Sequence, residues 1–355
     1  MLQIEEFLVK AVELGVTDVF VIAGSPVAFK NKGRIVLEGD TMLVPDDAET
    51  LIRKIYSIAH REIDMVLERG DDDFAFALPG VSRFRVSTYK QRGSLAAVIR
   101  VISFGIPDYR KLEIPEKVVT SANKSSGLVL VTGPAGSGKS TTLACMIDHI
   151  NSTRNGHIIT LEDPIEYLHR NKQSIISQRE IALDTTSYVQ ALRASLRQAP
   201  DVILVGEMRD FETIQTVLTA AETGHLVIST LHTRGAADTV DRIIDVFPPA
   251  QQQQIRVQLS MLLQSVISQQ LIPTLDGGLT PAFEVMHNNT AIRTLIRESK
   301  VHQIDSAISS NAAEGMMSMD AGLLSLCTEG RISQDSALHY SSNPELMVKR
   351  LAAVR

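Results

Sequence analysis

Residues 133–140 read GPAGSGKS, a G-x-x-x-x-G-K-S loop, and the flanks of that loop constrain the fold as much as the loop does. The apolar run 128–131 enters it as a strand, and STTLACMIDHI leaves it with helical character. A strand, a glycine-rich turn and a helix in that order aim backbone N–H groups and a helix N-terminus at one point, which suits phosphate oxygens. Gly133, Gly136 and Gly138 let the backbone curl, and Ser137 and Thr141 complete the same binding set. Lys139 can reach the β- and γ-phosphates of ATP, and the Ser140 hydroxyl can ligate Mg²⁺. The bland alternative is a βα turn with a chance lysine, and the flanking strand and helix leave it little room.

A loop of this kind needs a parallel sheet, and the chain from about residue 118 supplies the pattern. Apolar strands alternate with helices: HIITLEDP, a helix at 187–198, DVILVGE, a helix at 211–223, HLVISTL, and a helix from about 235. From about 249 onward the pattern reads as helical, including the glutamine-rich PPAQQQQIRVQLSMLLQSVISQQL. In such sheets ligands sit outside the carboxyl ends of the strands. Three strand exits carry chemistry there. ITLEDPIEY offers Glu162, DVILVGEMRD offers Glu207, and HLVISTLHT offers His232. One acid can help hold Mg²⁺ and the other can polarise an attacking water. A solvated loop acid is common, but two acids at two strand exits beside such a loop favour the functional reading. His232, at the same sheet edge, is a candidate sensor of the γ-phosphate.

The first third reads as a smaller α+β domain. Residues 3–14 and 45–70 have helical spacing, the latter broken near His60, and DVFV, RIVLEG, FAFAL and RFRVSTY read as strands. The expected division is a domain over 1–104, a proline-bearing linker over 105–117, and the ATPase domain over 118–355 with a helical carboxyl-terminal segment. Arg83 and Arg85 fall on one face of a strand, and Arg92 and Arg100 follow. A solvated strand face explains any one of them; together they suggest cations brought against ATP phosphates.

The 355 residues are 44% hydrophobic and 21% charged, with a net charge of −6. A sizeable core is feasible, and the acidic balance argues against a nucleic-acid partner. Two cysteines, Cys145 and Cys327, with no CxxC pair, support neither a zinc site nor a disulfide framework. No run reaches the length of a membrane span, and the start of the chain lacks signal-peptide character, so any membrane contact is expected to be peripheral or through a partner.

These motifs together resemble the secretion ATPases of the type II and type IV pilus class. LRQAPDVILVGEMRD is similar to their modified Walker B segment, TLEDPIEY to their Asp box, and GHLVISTLHT to their His box, in family order. The resemblance implies a RecA-like P-loop ATPase domain with an amino-terminal PAS-like domain. It also implies that Glu162 is the general base and that Glu207 acts on Mg²⁺ and water, although the residues alone permit the reverse. AIRTLIRE (291–298) resembles the AIRNLIRE motif of the retraction branch, with Thr294 in place of Asn. Read physically, 290–308 is one amphipathic helix with Ile292, Leu295 and Ile296 on a stripe and Arg293 and Arg297 on another face. The assembly branch carries a long extra amino-terminal region and a tetracysteine insertion, which do not fit here.

The resemblance therefore implies a cytoplasmic homo-hexamer at the inner-membrane face. It would act on the membrane platform protein of a type IV pilus and power retraction and twitching motility. The alternatives are an assembly, type II or type IV secretion ATPase and, in a different class, a nucleotide-gated scaffold with little turnover. Intact Lys139, Ser140, Glu162 and Glu207 argue against the scaffold.

Overall fold

The computed structural model describes residues 3–31, 34–102 and 105–353. Residues 103 and 104, at the end of the expected first domain, lie outside the described residues. The chain divides into two compact units: residues 1–105 with 166–168, and residues 106–165 with 169–355.

The first unit runs α1 (Ile4–Glu13), β1 (Asp18–Ile22), β2 (Ala28–Asn31), β3 (Arg34–Leu37), α2 (Pro45–Ile58), α3 (Asp64–Arg69), β4 (Asp71–Leu78), β5 (Ser82–Gln91) and β6 (Ser94–Ile102). Among the described residues six strands form one antiparallel sheet in the order β3-β2-β1-β6-β5-β4. Period-two alternation sends Phe84 and Val86 into a core with Val19, Val21 and Ile99. Helical spacing sends Ile4 and Leu8 of α1, and Leu51, Ile52 and Ile55 of α2, into the same core. His60, at φ 51°, ends the long helix where its pattern broke. Just beyond, Arg61 forks onto the buried Asp72 at 2.9 and 2.7 Å, and Tyr56 donates to the same carboxylate at 3.0 Å. Burial pushes the Tyr56 phenol up to about 12.

The second unit opens with α4 (Glu116–Thr120), β7 (Gly127–Thr132), α5 (Lys139–Thr153), β8 (His157–Glu162), β9 (Ile175–Glu180), α6 (Tyr188–Ser195), β10 (Val202–Val205), α7 (Phe211–Glu222) and β11 (Leu226–Leu231). It continues through α8 (Ala236–Asp245), α9 (Pro249–Leu262), β12 (Leu263–Pro273), β13 (Leu279–His287) and α10 (Thr290–Arg297). Four further helices close it: α11 (Ile304–Ser310), α12 (Met319–Thr328), α13 (Gln334–Tyr340) and α14 (Pro344–Ala353). Seven strands among the described residues order as β13-β12-β7-β11-β10-β8-β9, all parallel except β13. β7, β10 and β11 are buried along their whole length, which explains why they read as unbroken apolar runs. Helices cover both faces, giving one core around Leu130, Ile203 and Val227 and another around Val129, Val131 and Ile228. Ile106, Tyr109 and Leu112, in the segment expected to be a linker, pack against this second core.

Two sequence expectations are corrected. The helical reading from 249 onward fails over 263–287, where the chain turns extended after Leu262 and becomes an inner strand and its antiparallel neighbour, and helices resume at Thr290. Val266 and Ile267 are buried between β7 and β13, and this pairing overrides a helical spacing that short apolar runs cannot distinguish from a buried strand. The segment 290–308 is two short helices rather than one, because α10 stops at Arg297 and Ser299 adopts φ 59°. No helix among the described residues is long and apolar enough to cross a membrane.

Candidate nucleotide-binding site

The phosphate-binding loop leaves β7 and enters α5, and two of its glycines are there for space. At Gly133, φ 142°, a Cβ would meet the Gln269 carbonyl oxygen at 2.2 Å. At Gly138, φ 86°, it would meet the Gln269 amide nitrogen at 2.9 Å. A side chain at Gly133 would collide with the backbone of β12, and one at Gly138 would displace the Gln269 side chain and strain the left-handed backbone. Gly136 is also left-handed, at φ 76°, but faces open space. Lys139 is the first residue of α5, and its Nζ donates to the carbonyls of Gly133 and Pro134 at 2.8 and 2.9 Å. Ser140 and Thr141 follow in the first helical turn. The Ser137 hydroxyl is buried in the loop, and it lacks a hydrogen-bond partner among the described residues. An orphan donor of this kind, beside curled backbone N–H groups and a lysine, fits a polyphosphate.

Strand order places the other groups. β11 lies beside β7, then β10, then β8, and all four end at the same edge. At about 4.8 Å per strand, the β10 exit lies roughly 10 Å from the loop's strand and the β8 exit roughly 15 Å away. Glu207 follows β10, Glu162 ends β8, and His232 follows β11. The structure therefore brings Lys139, His232, Glu207 and Glu162 to one edge, in that order.

Glu207 is held from several sides. Its Oε1 pairs with Arg209 at 2.5 Å and its Oε2 meets His232 Nε2 at 3.4 Å. The backbone before it is pinned by β11: Ser229 donates to the Val205 carbonyl at 2.7 Å and Thr230 to the Gly206 carbonyl at 2.6 Å. Glu162 accepts from Thr160 at 2.6 Å and from Gln178 of β9 at 3.1 Å. Tyr188, at the start of α6, completes the acidic corner. Its hydroxyl lies 2.8 Å from where a Gly206 Cβ would stand. Burial, then the charges of Asp163, Glu207 and Glu162, hold its phenol well above the usual tyrosine range, so it stays a neutral donor. Asp163, Tyr188, Glu207, Arg209 and Asp210 line a groove of about 530 Å³.

Among the described residues no group of three or more His, Cys, Asp or Glu is arranged to hold a metal ion. The oxygen donors present, the Ser140 hydroxyl and one carboxylate, match how Mg²⁺ is held in nucleotide sites, where phosphates and water supply the remaining ligands. Cys145, buried in α5, is pushed up to about 12 by its burial and is an inert thiol.

The arginines of the first unit do not all gather. Arg85 lies opposite Arg100 across the β5–β6 pair, and Arg83 is two residues along the same outward face. Asp18 of β1, beside Arg100 and bonded to it at 3.0 Å, offsets the two adjacent cations. Arg92 sits in the turn after β5, roughly 30 Å along the strand from Arg83.

Arg209 lies in the DVILVGEMRD exit, and Ser229 and Thr230 lie within the GHLVISTLHT segment that carries His232. Tyr188, Gln178 and Gln269 meet the site from other strands and helices and carry no local signal.

A family model described as type II/IV secretion system protein matches residues 4–319. The type IV pilus retraction ATPase PilT of Pseudomonas aeruginosa PAO1 is 44% identical over 345 residues, 97% of this chain and 99% of that protein. A twitching motility protein of Neisseria gonorrhoeae is 50% identical over 276 residues, 78% of this chain and 74% of its own length. A crystal structure of the pilus retraction motor PilT with bound ADP superposes with a TM-score of 0.89 at 46% identity. It covers 98% of this chain and 100% of that one.

Proposed function

This chain belongs to the type II/IV secretion system protein family, and from that premise we propose that it is a ring-forming ATPase motor that drives type IV pilus retraction. The observation that carries the reading is one sheet edge bearing a phosphate-binding loop, Glu207, Glu162 and His232 in a fixed order. The full-length likeness to a pilus retraction ATPase supplies the task.

In the proposed reaction the loop N–H groups, Ser137 and Lys139 bind the phosphates of ATP. Lys139 exchanges the carbonyls of Gly133 and Pro134 for phosphate oxygens. Ser140 and Glu207 would hold Mg²⁺, which when bound neutralises charge on the transferring phosphoryl group. Glu207 is the carboxylate nearer the loop, which favours it for that role. Arg209 lies on the Glu207 carboxylate and swings away as the site fills. Glu162, one strand farther out and oriented by Thr160 and Gln178, takes the proton of the attacking water. His232 lies between the loop and Glu207 and responds to the γ-phosphate. Arg83, Arg85 and Arg100, on one outward face, are the cations delivered to the triphosphate during the cycle, and Arg92 stands apart from them.

Six copies in a closed ring, docked on the pilus platform protein at the cytoplasmic face of the inner membrane, turn successive cleavages into filament withdrawal. α10 offers the coupling surface: Ile292 and Ile296 are buried, while Arg293 and Arg297 are exposed.

The test is phosphate release by the purified chain with ATP and Mg²⁺, combined with its mass in solution. Magnesium-dependent turnover by a hexamer is expected. ATP binding without turnover would instead identify a nucleotide-gated scaffold.

A further inference from the structure

Gln269 belongs to none of the motifs above, yet it is 2% exposed and lies behind the phosphate-binding loop. β12 pairs in parallel with β7 through Ser268 and Thr132, so Gln269 is level with Gly133. Its carbonyl oxygen fills the space that a Gly133 Cβ would need. Its side-chain oxygen accepts from Thr142 of α5 at 2.7 Å. The amide nitrogen then faces Gly138, lying 2.9 Å from a Cβ placed there. Burying a glutamine is costly unless its amide is bonded, and a leucine would fill the same volume without that cost. The amide thus meets a requirement that volume alone does not.

Ser268, the residue before Gln269 in β12, holds a second segment of the site. Ser268 accepts the Gly235 N–H at 3.0 Å, and its cross-strand partner Glu284 accepts the Ala236 N–H at 2.8 Å. Gly235 and Ala236 follow the His232 loop directly. Two consecutive residues of β12 therefore reach both sides of the phosphate position: Ser268 bonds the segment after His232, and Gln269 bonds the first turn of α5 and packs on Gly133 and Gly138.

We propose that Gln269 is a positioning residue for nucleotide cleavage, its side-chain amide holding the end of the loop at Gly138 and the first turn of α5 against β12, while Ser268 holds the segment after His232 from the same strand. This rests on the nucleotide reading above, and the test separates the two.

Mg-ADP affinity, ATP turnover and thermal unfolding are measured for the full chain, Gln269→Leu and the Thr142→Val/Gln269→Leu pair. Gln269→Leu leaves the buried Thr142 hydroxyl without its partner, so its Tm falls. The pair replaces both partners with apolar groups, which recovers Tm. ADP affinity and kcat are expected to stay about tenfold to a hundredfold down in both variants, because a displaced loop misaligns donors. If the pair regains affinity and turnover together with Tm, Gln269 is a packing residue only and the proposal is overturned. Unchanged ADP affinity in Gln269→Leu overturns it as well. Failure of the wild-type chain to bind ADP would sink the nucleotide reading itself.

Discussion

Glu207 stands where β10 runs out, the backbone just before it bonded from β11 and its carboxylate shared by Arg209 and His232. A carboxylate fixed this way can be replaced by its amide without disturbing the strand. Glu207→Gln should therefore bind ATP yet turn it over about 10²- to 10⁴-fold more slowly, and Glu162→Gln should fall in the same range. Equilibrium nucleotide binding measured beside phosphate release checks both, and wild-type turnover by either variant removes that residue from the mechanism. Lys139→Ala should lose binding as well, since the cation meets ground-state phosphates. These residues were legible in the sequence because each lies within a few positions of a buried strand, where a charged group has no structural reason to be. Tyr188 was not legible, since it enters the acidic corner from α6 and only packing against Gly206 places it there.

At the scale of elements, β12 and β13 were the hardest to read. Leu263–Pro273 keeps apolar residues close together because both of its neighbours are strands, and that density also fits a helix. The outer strand β9, β2 with only four residues, and β6 were likewise passed over, whereas β7, β8, β10 and β11 stood out through the motifs that follow them. Glu284 of β13 was invisible without the fold. It caps α8 from another element, and Asp238 of α8, Asp305 of α11, Asp320 of α12, His339 of α13 and Arg234 lie around it. Burial, opposed by the Ala236 N–H and aided by Asp305 and Asp320, pushes its carboxyl up to about 7. An acid with a raised folded-state pKa binds its proton more tightly folded than unfolded, so the contribution of this group is greatest below its unfolded pKa. Between about pH 4.5 and 7 the chain should lose roughly 2–3 kcal/mol through this group and then level off. Denaturant melts across that window should show the slope in the wild type and not in Glu284→Gln, and a shared slope would assign it elsewhere. α10 gives a second prediction. Arg293 and Arg297 are exposed, so Arg293→Ala/Arg297→Ala should change stability by less than about 1 kcal/mol and leave most ATP turnover intact while stopping retraction. Leu295 is half-buried against the core, so its substitution would mix packing loss with uncoupling. Retraction at the normal rate in the double variant would remove the coupling role.

For the whole molecule, the change from an α+β to an alternating β and α pattern is the sequence signal for a division, and the chain forms two compact units. In the proposed ring, cations such as Arg85 and Arg100 would be delivered to the triphosphate during the cycle. Arg85→Ala/Arg100→Ala should then depress kcat while leaving Mg-ADP affinity near wild type, whereas Arg92→Ala should have little effect on either. The most direct test of the central claim replaces the chain in its host by Lys139→Ala and follows surface pili by light microscopy. Cells crowded with pili that extend and never withdraw are expected; bald cells, or pili that still retract at the normal rate, would contradict a retraction motor.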